Sequence, residues 1–83
     1  MKDNKVQIDT GCDILTVESY NTRGTTIVTA YVNGISIRCG SLHLERVAGS
    51  FTDTVLTACQ VDDSKTLSRI ANEIEAFITE ALQ

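Results

Sequence analysis

The sequence predicts an α+β fold: an antiparallel β-meander of three to four strands with one C-terminal amphipathic helix packed on one face. Three observations predict it. Residues 13–44 alternate in hydropathy and are rich in Thr, Val, Ile and Tyr, the composition of half-buried strands. Asn33-Gly34 stands between two such runs, and this pair favours a type I′ hairpin turn because both central positions need positive φ. From Leu67 to Leu82 the apolar residues recur at helical spacing. A chain of 83 residues is expected to form one domain over 1–83. With 42% hydrophobic and 22% charged residues it is a globular rather than a disordered composition.

The elements follow in order. Residues 1–5 are polar and charged and are expected to fray. Residues 6–8 form a short edge strand, and Asp9-Thr10-Gly11 follows. Residues 13–20 are a strand, 21–24 a four-residue turn, 25–32 a strand and 35–44 its return. The loop lengths set the register. Asn33-Gly34 pairs Val32 with Ile35, Ala30 with Ile37 and Val28 with Cys39; the turn at 21–24 pairs Val17 with Val28 and Leu15 with Ala30. Both hairpins then place Leu15, Val17, Val28, Ala30, Val32, Ile35, Ile37 and Cys39 on one core face. Beyond Cys39 the parity fails, and a bulge near Gly40 would return Leu42 and Leu44 to the core. Residues 47–50 read as a loop. Residues 51–61 read as a fourth strand with Phe51, Val55 and Cys59 on one side. Asp62-Asp63-Ser64 starts the helix, since side-chain oxygens cap free amides and negative charge suits the dipole. Leu67, Ile70, Ala71, Ile74, Phe77, Ile78, Ala81 and Leu82 then face the sheet.

Charge and cysteine usage narrow the function. The formal net charge is −4, and the seven Lys and Arg residues form no run. Direct binding to nucleic acid needs a positive patch and is not expected. An acidic surface is suited to a basic partner. Cys12, Cys39 and Cys59 are odd in number and lack the C-x-x-C spacing, so no disulfide framework is expected. A soluble protein of a reducing compartment, the cytoplasm, fits that usage. No segment has a signal-peptide pattern or the ~20 apolar residues of a membrane span, and no membrane contact is expected. Three cysteines with His43 are an allowed zinc set. The close ligand pairs of zinc modules are missing, however, and Cys39 is expected in the core. No Gly-x-Ser-x-Gly elbow and no Gly-rich phosphate loop occur. No catalytic residue, metal or cofactor is therefore expected.

One short motif names a chemistry. Ile8, the Asp9-Thr10-Gly11 triplet and the apolar run from Ile14 to Val17 resemble the active-site strand of aspartic proteases, especially the retroviral type, over residues 6–17. The resemblance implies a dimer in which two Asp9 carboxylates share a proton. Gln7 and Cys12 depart from the pattern. So does the rest of the chain: the eight residues before Asp9 do not hold the usual leading strands, no Gly-rich flap follows, and no apolar-apolar-Gly motif precedes the helix. The competing reading is a turn in which Asp and Gly do ordinary turn work.

The far face of the sheet is the main candidate site. The same register places Ile14, Thr16, Glu18 and Tyr20 there with Ile27, Thr29, Tyr31, Ser36 and Arg38. It sets Ile14 opposite Tyr31 and Glu18 opposite Ile27, with Arg38 diagonal to them. One helix covers only one face, so Ile14, Glu18, Tyr20, Ile27, Tyr31 and Arg38 are the expected partner-binding residues. Asp62, Asp63, Glu73, Glu75 and Glu80 are a second candidate, an acidic helix surface that either is solvated or faces a basic partner. In size, acidity and lack of motifs the whole chain resembles the small phage-encoded inhibitors, anti-CRISPR proteins among them. The resemblance rests on no diagnostic residue and transfers no site. It implies a non-enzymatic domain that blocks a larger, basic nucleic-acid-binding complex by occupying its surface. The alternative is a homodimer or larger assembly of this chain, joined through the same face.

Overall fold

The computed structural model describes residues 4–43 and 50–81. Four strands, β1 (Asn4–Asp9), β2 (Ile14–Thr22), β3 (Thr25–Val32) and β4 (Ile35–Ser41), form one antiparallel sheet in the order β1-β2-β3-β4. Two helices follow, α1 (Ser50–Ala58) and α2 (Ser64–Ala81). The fold is an α+β meander, and the described residues after the sheet include the two helices α1 and α2 where the sequence predicts one. β1 takes in Asn4 and Lys5 from the segment expected to fray; residues 1–3 lie outside the described residues.

Both helices lie on the same face of the sheet. Ile8, Leu15, Val17, Val28 and Ala30 of the sheet pack with Leu42, with Phe51, Val55 and Cys59 around α1, and with Ile70, Ile74 and Ile78 of α2. Leu67, Ala71, Phe77 and Ala81 complete the expected stripe as half-buried residues, while Leu82 lies outside the described residues. Asp63 caps α2 as the sequence predicts. Its Oδ2 accepts the Thr66 N–H at 3.1 Å and the Thr66 hydroxyl at 2.6 Å. These bonds hold the Asp63 carboxyl below the usual range. Among the described residues no helix is long and apolar enough to cross a membrane.

Both hairpin turns have two residues. Asn33 and Gly34 have φ of 53° and 85°, and Arg23 and Gly24 match them at 52° and 80°. The expected four-residue loop at 21–24 is thus shorter, because β2 runs on to pair Thr22 with Thr25. Leu15 now lies opposite Val32 and Val17 opposite Ala30. A shift of two residues leaves every side chain on its own face, so Leu15, Val17, Val28 and Ala30 are buried as expected.

The return strand differs more. Tyr31 pairs with Ser36 and Ala30 with Arg38, which leaves Ile37 as the extra residue of a bulge. The bulge expected near Gly40 therefore comes three residues earlier. It reverses Arg38 and Cys39. The strand expected over 35–44 ends at Ser41, and Leu42 and His43 are already helical, so Leu42 reaches the core from beyond the ladder. Arg38 is in register with buried Ala30, and Cys39 stands beside Thr29 on the far face. Cys39 is exposed rather than buried. Ile35, also expected in the core, is 70% exposed at the hairpin end, while Val32 and Ile37 pack partly against the core. Leu44 lies outside the described residues.

The expected strand at residues 51–61 is the helix α1, which already includes Ser50; residues 47–49 lie outside the described residues. Phe51, Val55 and Cys59 are spaced by four, and that spacing shares a face in a strand and in a helix alike. Asp53 separates the two. Strand alternation would place it inside with Phe51 and Val55, whereas the helix turns it to solvent. Cys59 N–H closes the helix on the carbonyls of Val55 and Leu56 at 3.2 Å each, and Gln60 follows with φ of 53°.

Candidate functional site

The alternation that buries one face of β2 and β3 presents the other. Thr16 lies opposite Tyr31, Glu18 opposite Thr29 and Tyr20 opposite Ile27, one pair along from the expected partners. β1 adds Lys5 opposite Glu18 and Gln7 opposite Thr16. β4 adds Cys39 opposite Thr29. Both helices pack on the other side, so no described element lies over this face. Ile14 is 44% and Tyr20 40% exposed, with Ile27, Glu18 and Tyr31 half-buried around them.

Its polar centre is ordered. The Tyr31 hydroxyl donates to Glu18 Oε1 at 2.9 Å along the diagonal of the ladder. That bond favours the protonated phenol and pushes the Tyr31 pKa up, with desolvation and the Glu18 charge acting in the same direction. Thr29 Oγ1 donates to Cys39 Sγ at 3.3 Å and is only 5% exposed. At one end, Ile14 is tied to the β3–β4 turn. Its N–H donates to Asn33 Oδ1 at 3.0 Å, and its carbonyl accepts the Asn33 N–H at 2.9 Å. Asn33 Nδ2 in turn donates to Asp13 Oδ1 at 2.7 Å. The face thus has apolar groups at Ile14, Tyr20 and Ile27 around a fixed polar centre, which is how protein interfaces are built.

Of the six residues expected here, Ile14, Glu18, Tyr20, Ile27 and Tyr31 share the face. Arg38 does not, because the bulge at Ile37 turns it toward the helix side of the sheet. Cys39 takes its place, and no local residue announces that exchange. The acidic residues do not form one surface. Asp63 caps α2, Glu75 Oε2 accepts the Thr52 hydroxyl at 2.7 Å beside α1, and Glu73 pairs with Arg69 at 3.1 Å. Glu73 and Glu80 instead flank a groove beside β1, and Asp62 is exposed before the helix.

Asp9-Thr10-Gly11 closes the loop between β1 and β2. Asp9 Oδ1 accepts the Gly11 N–H at 2.8 Å, and Gly11 has φ of 93°. Thr10, buried, accepts the Asp13 N–H on Oγ1 at 2.9 Å and donates to the Asp13 carbonyl at 3.1 Å. The Asp9 carboxylate and the Thr10 hydroxyl both make turn bonds. Cys12 and Cys39 are exposed and Cys59 is buried, where burial pushes its thiol pKa up. Among the described residues no three of His, Cys, Asp and Glu converge as metal ligands. No family model, curated protein or solved structure matches the chain.

Proposed function

We propose that this protein is a non-enzymatic interaction module that docks on a larger protein through the outer face of its sheet. The observation that supports this reading is the open face itself: Ile14, Tyr20 and Ile27 around the Tyr31–Glu18 hydrogen bond, with no described element across them. An apolar and aromatic patch of this kind gains from being covered. The net charge of −4 favours a basic partner. With the resemblance to small phage-encoded inhibitors, it makes a nucleic-acid-binding complex the partner class and obstruction of that complex the activity. Three unpaired cysteines suit a reducing compartment such as the cytoplasm.

Affinity capture with the wild-type chain and with Tyr20→Ser/Ile27→Ser tests the reading. The wild type is expected to retain a basic partner, and the variant to lose it while keeping its circular dichroism spectrum. Undiminished capture by the folded variant removes the face from the reading. A dimer that dissociates on the same two substitutions transfers the face to self-assembly.

A further inference from the structure

β1 is an edge strand, and the phase of its hydrogen bonds can be worked out. Thr10 N–H donates to the Asp13 carbonyl at 3.0 Å, which makes Thr10 and Asp13 a bonded pair. Bonded and non-bonded pairs alternate along an antiparallel ladder. With the observed register, Ile8–Leu15 and Val6–Val17 are bonded pairs, and Asp9–Ile14, Gln7–Thr16 and Lys5–Glu18 are not. The peptide groups of Lys5, Gln7 and Asp9 therefore point away from β2. An independent contact agrees: Arg69 Nη2 donates to the Asp9 carbonyl at 2.9 Å from outside the sheet. No described residue pairs with the edge at Lys5 or Gln7. Beside them lies an open groove of about 350 Å³, lined by Lys5, Val6, Glu73, Ala76, Phe77 and Glu80.

An open edge is a template for another strand, and the residues on this one select a copy of themselves. Outward peptide groups meet only if Lys5, Gln7 and Asp9 pair among themselves. A two-fold axis through Lys5 or Asp9 sets like charges opposite each other, which is unfavourable. An axis through Val6 or Ile8 leaves a charge without its opposite. An axis through Gln7 pairs all three residues: Gln7 with Gln7, and Lys5 of each copy with Asp9 of the other. We infer that the β1 edge is a self-pairing surface, on which two copies join antiparallel about a two-fold axis through Gln7 into one continuous sheet.

Such an interface is isologous and closes on itself. The Asp9 carbonyl keeps Arg69 on one lone pair and accepts the Lys5 N–H of the other copy on its second. Val6, Ala76 and Phe77 supply an apolar wall beside the new ladder. The axis is perpendicular to the sheet, so the helices of both copies stay on one side and the outer faces merge on the other. This pairing is independent of the function proposed above, because it leaves the outer face free.

Sedimentation velocity over a range of protein concentration, with four variants, tests the pairing. The wild type is expected to shift from monomer to dimer as concentration rises, and the Lys5 and Gln7 amides to gain exchange protection in step. Gln7→Pro removes an outward N–H and no bond to β2, and proline is tolerated on an edge strand. It should be a folded monomer. Lys5→Glu and Asp9→Lys each set like charges opposite each other and should weaken association by roughly tenfold or more. An equimolar mixture of the two should restore it, since only the mixed dimer pairs opposite charges. A wild type that stays monomeric at millimolar concentration overturns the inference. So does a dimer that survives Gln7→Pro, or one lost with Tyr20→Ser/Ile27→Ser but not with Gln7→Pro.

Discussion

Ile14 and Leu15 are neighbours on β2 and face opposite ways, so the same truncation at each position measures how well each face is covered. Leu15 is 0% exposed and Ile14 44% exposed. Either change to Ala removes three carbons. At about 0.8 kcal/mol per buried methylene the transfer loss at Leu15 is about 2.4 kcal/mol, and the cavity raises it to roughly 3–4 kcal/mol. At Ile14 just over half of the side chain is shielded and solvent fills the gap, so the loss is roughly 1 kcal/mol. A domain of this length has a total stability of about 4–12 kcal/mol. Leu15→Ala should therefore lower Tm by roughly 15–25 °C, while Ile14→Ala changes it by a few degrees. Urea unfolding followed by circular dichroism, with an unchanged m-value, gives both numbers. Losses equal to within about 1 kcal/mol would mean that both faces are covered in the free protein, and the interface reading would fall. With a partner bound the order reverses: Ile14→Ala costs affinity that Leu15→Ala does not.

Two titrations test the polar contacts. In a Tyr20→Phe background, absorbance titration should show Tyr31 ionising above the ordinary tyrosine range, and Glu18→Ala should bring it back down. Because the folded pKa is the raised one, the stability from this contact is present below the ordinary phenol pKa and is lost as pH rises through the folded value. Asp63 has the opposite sign. Its folded pKa is lowered by the Thr66 bonds, so its contribution is present above the ordinary carboxylate range and is lost as pH falls through the folded value. In Asp63→Asn the urea midpoint should fall less steeply on the acid side than in the wild type.

What could be read from the sequence follows from how restrictive each signal is. Asn33-Gly34 was readable because two consecutive residues with positive φ admit few residue types. The faces of β2 and β3 were readable even with the wrong loop length, because an error of two residues is silent in a period of two. That is why the sequence alone groups Ile14, Glu18, Tyr20, Ile27 and Tyr31 on one face. Residues 51–61 read as a strand because Thr52, Thr54, Val55 and Thr57 favour strands on their own, whereas tertiary packing of Phe51, Val55 and Cys59 overrides them. Asp53 held the correct answer. The scatter of the acidic residues was also there to be read: Glu73 and Glu75, two apart on a helix, lie on nearly opposite sides. The bulge at Ile37 was not readable. It falls on an apolar residue between Ser36 and Arg38, with no glycine to mark it.

That bulge makes an unusual deletion tolerable. Removing one residue from a strand normally turns everything beyond it to the other face. Here Ile37 is the unpaired residue, so its removal leaves a regular ladder with Arg38 still opposite Ala30, Cys39 opposite Thr29 and Leu42 in the core. Only the partial packing of Ile37 is lost, a cost of about 1–2 kcal/mol. Cys39 should react with a thiol reagent at the same rate in the folded wild type and in the deletion variant, since it is exposed in both. A bulge near Gly40 predicts something different. Cys39 would be protected in the wild type and become reactive when the deletion reverses it, and Leu42 would leave the core at a further cost of roughly 1.5–3 kcal/mol. Protection of Cys39 in the folded wild type would therefore return Arg38 to the outer face and redraw the interface around a positive charge.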